Sequence, residues 1–220
     1  EDTLSLHDAL PISELFKLPV VQDRGTKLLK YIGDTTINGY ADAGHQDKPE
    51  FEALELPTPV AGPYPDGTKQ KFDAMGPEKF SQWIREQKKV FFTDTTMRDA
   101  HQSLFATRVR SIDMLRVLEA ASKKLPNLFS YECWGGATFD VAYRFLDESP
   151  WDRLRQMREA APNILFQMLI RGANTVGYTN YPENVVRHFI DQAADAGVDV
   201  FRVFDCLNQL NHMTVSIDEV

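Results

Sequence analysis

The stretch Ile164-Leu165-Phe166-Gln167-Met168-Leu169-Ile170 holds one polar side chain in seven residues and runs directly into Arg171. A run this short and this apolar, closed by Arg171-Gly172-Ala173-Asn174, reads as a strand covered on both faces. Working outward, Pro182–Ala196 has helical periodicity, and Val198–Phe204 is a second apolar run that ends on Asp205. Upstream, Trp151–Ala160 forms a helix after Pro150, and Leu128–Cys133 forms a strand. Ser111–Lys124 reads as a helix capped by Ser111 with Met114, Leu115 and Leu118 turned inward, and Val90–Thr93 as a short strand before it. Apolar strands that alternate with amphipathic helices indicate parallel β/α units.

Residues 90–220 supply about four such units in 131 residues. A closed (β/α)₈ barrel needs eight strands and typically about 250 residues. The expected fold class is therefore α/β, a partial (β/α)₈ TIM barrel of about the first four β/α units, preceded by a helical and extended linker. A four-stranded doubly wound sheet is the competing arrangement. The end of the chain inside the fourth helix, soon after Met213, reads as truncation. Four parallel strands with open edges favour aggregation, so poor solubility is expected of the isolated piece.

The 220 residues are 43% hydrophobic and 25% charged, as in an ordinary globular protein. A formal charge of -8 gives no bulk attraction to nucleic acid or anionic lipid. No apolar run approaches the ~20 residues that span a bilayer. Cys133 and Cys206 suggest neither a disulfide framework nor a metal cluster, and a reducing cytoplasm is the simplest setting. Residues 1–13 lack a basic start and read as a non-native, disordered leader. Residues 14–88 read as a linker region. It has a helix over Val21–Ile32 stopped by Gly33, a proline-interrupted connector over 39–77, and a short helix from Pro77 to about Gln87 packed through Phe80, Trp83 and Ile84. Residues 89–220 form the barrel part.

In such folds the reactive groups leave the C-terminal ends of the strands. After the first strand comes Thr93-Asp94-Thr95-Thr96-Met97-Arg98-Asp99-Ala100-His101-Gln102-Ser103. Asp99 suits a divalent cation, and Arg98 suits a planar carboxylate. The alternative is an Asp-capped loop with an Arg–Asp surface pair. After the second strand, Trp134-Gly135-Gly136-Ala137-Thr138-Phe139-Asp140 either brings backbone close to a ligand or makes a tight turn, and Asp140 either orients a ligand or caps that turn. Arg171 either meets an anion at the barrel mouth or pairs with a nearby carboxylate. Asp205 either caps a helix or faces the pocket. His101 reads as a hydrogen-bonded structural residue, Cys133 as a buried thiol, and His45, His188 and His212 receive no role.

Together DTTMRDAHQS, YECWGGATFDVAYRFL, RGANTVGYTNYPENVV and FRVFDCLN closely resemble the carboxyltransferase domain of the pyruvate carboxylase family. ELFKL and DRGTKLLKYIGDTTING resemble that family's linker before the domain, so the resemblance covers about residues 14–220. It implies a biotin-dependent ligase that carboxylates pyruvate to oxaloacetate through an enolate. Asp99 would be the metal ligand (Mn, Zn or Mg). Arg98, Gln102 and Arg171 would hold pyruvate, and Asp140 and Tyr178 would line the biotin pocket. The implied partners are pyruvate, a biotin carboxyl carrier domain and further copies in a tetramer. Acetyl-CoA is an implied effector, with Arg24 or Lys27 as phosphate contacts or as plain exposed helix charges. The family's other metal ligands, a carbamylated lysine and a histidine pair, and its proton-shuttling threonine have no match within the sequence. The piece is accordingly expected to be inactive alone. A decarboxylase for oxaloacetate, a transcarboxylase subunit and a non-catalytic acetyl-CoA-responsive module are the alternatives.

Overall fold

Four parallel strands are hydrogen-bonded in the order of the chain: β1 (Thr93–Asp94), β2 (Ser130–Gly135), β3 (Leu165–Ile170) and β4 (Val200–Val203). This computed structural model describes residues 24–39, 55, 58 and 60–220. Sequential order excludes the doubly wound alternative, which requires the strand order to reverse once so that helices cover both faces. Here every crossover steps in the same direction. With the usual right-handed connection, that places all the helices on one side of the sheet, as in a barrel wall.

The helices between strands are α5 (Ser111–Lys124), α6 (Gly136–Phe145), α7 (Pro150–Ala160) and α8 (Glu183–Asp195), and α9 (Leu210–Glu219) follows β4. Leu118, Leu154, Met157 and Ile190 pack with Tyr131, Cys133, Phe166, Met168 and Ile170 in one core. These strand positions alternate, so they share one face of the sheet. Trp134 is displaced from the simple alternation by an irregularity in the β2–β3 register between Glu132 and Trp134. Its ring lies 4.9 Å from Trp151, 5.6 Å from Phe139 and 5.8 Å from Phe189, joining β2 to three helices. Burial pushes the Cys133 thiol up to about 12, as expected of an inert core sulfur.

The opposite face of the sheet overturns the expectation of strands covered by apolar groups on both sides. It carries Ser130, Glu132 and Gln167, all buried, and Arg202. The first strand is also shorter than Val90–Thr93: Val90 and Phe92 are 79% and 70% exposed, and regular pairing begins only at Thr93 opposite Ser130.

The N-terminal ends of β2 and β3 are sealed by residues grouped with the connector on sequence grounds. Here α2 (Thr68–Met75) and α3 (Pro77–Glu86) appear, the first of them unforeseen. Thr68 Oγ1 donates to the Phe129 carbonyl at 2.8 Å, and the Leu165 amide donates to Thr68 Oγ1 at 3.2 Å. Asn163 Nδ2 donates to the Pro65 carbonyl at 3.0 Å. Phe80 on α3 packs against Phe72, Trp83 and Phe129, as its spacing predicts. The chain separates into compact units at Leu54 and Glu55, so these residues share a unit with the sheet. With that end closed, the C-terminal strand ends are the open ones.

Helix α1 (Arg24–Asn38) belongs to the first unit. It passes through Gly33 and ends at Gly39, whose φ of +73° favours glycine. A single interior glycine costs only ~1 kcal/mol against alanine and does not stop a helix. Val21, the leader 1–13 and the connector over 40–54 lie outside the described residues. Among the described residues no helix is long and apolar enough to cross a membrane.

Ser111 does not cap α5. Arg110 occupies that position, and the open amide of Ser111 donates to Glu148 at 3.1 Å. Glu148 also accepts from Ser111 Oγ and from Arg153 Nη2, both at 2.6 Å. The cap therefore comes from a carboxylate 37 residues away. Burial raises the Glu148 pKa, but bonds from Arg153 and Ser111 outweigh it and the net direction is down. A carboxylate with a lowered folded pKa contributes stability above the ordinary value near 4.5, and that contribution fades as pH falls through the folded value. Glu148→Gln is expected to flatten the acid limb of a melting-temperature profile. It should also cost about 3 kcal/mol at neutral pH, because the buried Arg153 guanidinium loses its counter-charge.

Candidate functional site

After β1 the chain does not loop. It winds into a π-helical turn, Thr96–Ala100, followed at once by α4 (His101–Phe105). Asp94 starts the turn by accepting the Thr96 amide at 2.7 Å, and the Thr95 carbonyl accepts the amides of Arg98 and Ala100. Arg98 points inward and is 7% exposed, whereas the Asp99 side chain is 53% exposed. Arg98 Nη1 lies 3.0 Å from Asp99 Oδ1 and 3.5 Å from Gln102 Oε1. The three residues are thus neighbours on one wound segment. The Arg98–Asp99 pair exists, but it is an inward arginine with an outward carboxylate, not a surface pair.

His101 is buried, as a structural residue should be, yet neither ring nitrogen has a hydrogen-bond partner among the described residues. Burial, then the charge of Arg153, lowers its pKa to about 4, so the ring is neutral.

β2 runs straight into α6 through Gly135 and Gly136. This helix replaces the expected turn and places Asp140 in mid-helix, where it caps nothing. A side chain at Gly136 would put its first carbon 2.7 Å from the Arg171 guanidinium carbon. A larger residue here would displace the guanidinium, which occupies that space. Arg171 leaves the end of β3 and Nη1 donates to the Gly177 carbonyl at 2.9 Å and the Val176 carbonyl at 3.5 Å. No carboxylate pairs with it among the described residues, which removes the ion-pair alternative. Its guanidinium sits 5.1 Å from the centre of the Tyr178 ring. The Tyr178 hydroxyl reaches Asp140 Oδ2 at 3.3 Å, and Arg144 Nη1 lies 3.4 Å from the same oxygen.

The predicted residues therefore form two groups at the C-terminal strand ends: Arg98, Asp99 and Gln102 after β1, and Arg171, Tyr178 and Asp140 spanning β2 and β3. The glycine pair lies between them, since a side chain at Gly135 would sit 3.6 Å from Arg98 Cδ. Asp205 caps the turn before α9, accepting the Leu207 and Gln209 amides, and pairs with His212 at 3.3 Å. Those amides lower its pKa.

Sequence reading missed Glu132, Gln167 and Arg202, which meet Arg98 beneath the turn. Glu132 Oε1 accepts from Arg98 Nε at 2.6 Å, from Arg98 Nη2, and from Arg202 Nη2 at 2.9 Å. Oε2 accepts from Gln167 Nε2 at 2.6 Å and Arg202 Nε at 2.8 Å. Burial raises the Glu132 pKa, but the bonds from Arg202, Gln167 and Arg98 together win and hold it down. Glu132 and Arg202, opposite charges inside two apolar strand patterns, were the available signal.

An α/β wall with a closed N-terminal end and polar side chains grouped at its C-terminal strand ends is the arrangement of a β/α-barrel enzyme wall. Comparison with known proteins makes the class particular. The chain is homologous to the pyruvate carboxylases, and its fold is that of part of their carboxyltransferase domain. It is 53% identical over 208 residues to pyruvate carboxylase of Bacillus subtilis (strain 168), which is 94% of this chain and 18% of that protein. Mitochondrial pyruvate carboxylase of Rattus norvegicus is 48% identical over 206 residues, again 18% of its length. The carboxyltransferase domain of Rhizobium etli pyruvate carboxylase with pyruvate is 56% identical and superposes with a TM-score of 0.74, covering 90% of this chain and 34% of that one. The same domain with pyruvate and biocytin is 57% identical, with a TM-score of 0.73. The chain thus spans about a fifth of its curated relatives. No protein-family profile matches it.

Proposed function

We propose that residues 89–220 form part of a site that transfers a carboxyl group carried by biotin to pyruvate, giving oxaloacetate. The observation that carries this reading is that Arg98, with Gln102 beside it, and Arg171 flank the adjacent glycines Gly135 and Gly136, with Tyr178 and Asp140 next to Arg171. Pyruvate offers a planar carboxylate and a ketone oxygen that becomes negative in the enolate. Guanidinium groups already aimed at that charge lower the barrier without reorganising. Arg98, Gln102 and Arg171 hold pyruvate in this scheme, and Asp140 and Tyr178 receive the biotin ring. Biotin, when bound, supplies the carboxyl group.

Asp99 is the proposed metal ligand. The described residues contain no group of three or more His, Cys, Asp or Glu able to hold a metal, and one carboxylate does not satisfy a hard cation that wants about six oxygens. Residues 14–88 are proposed as a linker, part of an acetyl-CoA-responsive region in a cytoplasmic homo-tetramer. Homology along 94% of the chain and the free thiols support that reading.

Titration with oxamate, a pyruvate isostere, tests the substrate assignment. Saturable binding at one site is expected. Gly136→Ala should weaken it at least about tenfold by pushing the guanidinium of Arg171 aside, since misplacement by ~1 Å suffices for losses of that order. Equal affinity in the two proteins would remove Arg171 from the site.

A further inference from the structure

We infer that Glu132 is a positioning residue for the proposed pyruvate site, setting the direction of the Arg98 guanidinium by holding two of its three nitrogens. Its carboxylate is 1% exposed and accepts five hydrogen bonds, three at Oε1 and two at Oε2. The donors come from three directions: Arg98 from the turn after β1, Gln167 from β3 and Arg202 from β4. A carboxylate has about four lone-pair sites, so this one has no capacity left for a ligand. It acts through what it holds.

What it holds is the Nε–Nη2 edge of Arg98. Nε and Nη2 are spent on Glu132, so Nη1 is the nitrogen left to face Asp99 and Gln102 at 3.0 and 3.5 Å. Without a partner behind it, a long flexible side chain has many rotamers, and its preorganisation is lost. Arg202, half exposed, completes the clamp: with Gln167 it holds the carboxylate from the side opposite Arg98.

The inference rests on the pyruvate reading for its substrate, and the test separates the two. Oxamate affinity is measured by calorimetry on the intact protein and on Glu132→Gln and Glu132→Asp, with ¹⁵N spectra of the arginine Nε–H groups. In the parent, slowly exchanging Nε–H signals are expected from Arg98 and Arg202, and also from the buried Arg153, whose Nε donates to Ser111 Oγ at 2.7 Å and which serves as the internal reference. Glu132→Asp keeps the charge but withdraws the carboxylate by one methylene. It should release the Arg98 signal to fast exchange and weaken oxamate at least tenfold while the protein stays folded. Glu132→Gln should do the same more severely. If that variant fails to fold, the aspartate variant decides. An aspartate variant that binds oxamate as the parent does, or that keeps the Arg98 Nε–H protected, overturns the positioning role. A parent that binds no oxamate removes the pyruvate reading, and the Nε–H protection then decides alone whether Glu132 positions Arg98.

Discussion

Replacing Arg171 by methionine is expected to lower pyruvate-dependent carboxyl transfer by about 10²–10³-fold, the usual loss when one preorganised donor to a developing oxyanion is removed. The fold should survive. Among the described residues the Arg171 side chain bonds only backbone carbonyls, at Gly177 and Val176, and its guanidinium faces a ring rather than a carboxylate. Methionine keeps most of the stem, so no buried charge is orphaned. Melting temperature should therefore move by little while the rate collapses. Steady-state kinetics in the full-length protein, alongside a thermal melt, provide the check. A rate within threefold of the parent would contradict the assignment of Arg171 to the substrate. Lysine should not rescue, because a point charge cannot reproduce a planar fork against a carboxylate.

Trp134→Ala should cost about 3–5 kcal/mol of folding stability, the range for removing a large buried aromatic side chain. Trp134 is fully buried and touches Phe139, Trp151 and Phe189 from three different helices. Those rings cannot all close on the vacated space, since each is held by its own helix. Against a typical total of roughly 5–15 kcal/mol, the loss is enough to leave much of the protein unfolded at physiological temperature. Trp134→Phe should cost much less, on the order of 1–2 kcal/mol. It keeps a ring in the cluster and removes a buried indole N–H that has no hydrogen-bond partner among the described residues. Urea denaturation of both variants measures the difference. Equal costs would mean that the four-ring cluster contributes no specific packing.

Much of the wall was legible in the residues alone. Ile164–Ile170 and Val198–Phe204 announced β3 and β4, and the observed strands start one or two residues later. Trp151–Ala160 and Pro182–Ala196 matched α7 and α8 to within a residue at either end. The helix α6 was hidden because paired glycines signal a turn, whereas here they stand at the start of a helix beside the Arg171 guanidinium. The winding after β1 was hidden because TDTTMRDAHQS has no apolar period and a high density of charge.

From the chain alone came the four strand regions, the helices α5, α7 and α8 between them, and which polar side chains leave the strand ends, because those features depend on neighbours a few residues apart. Tertiary structure alone decided what those side chains meet. Arg98 finds Glu132 at a separation of 34 residues, Arg202 finds it at 70, and Glu148 caps a helix 37 residues upstream. Such encounters depend on strand register and order. A shift of one residue would turn Glu132 toward the helices, so nothing shorter than the assembled sheet specifies them.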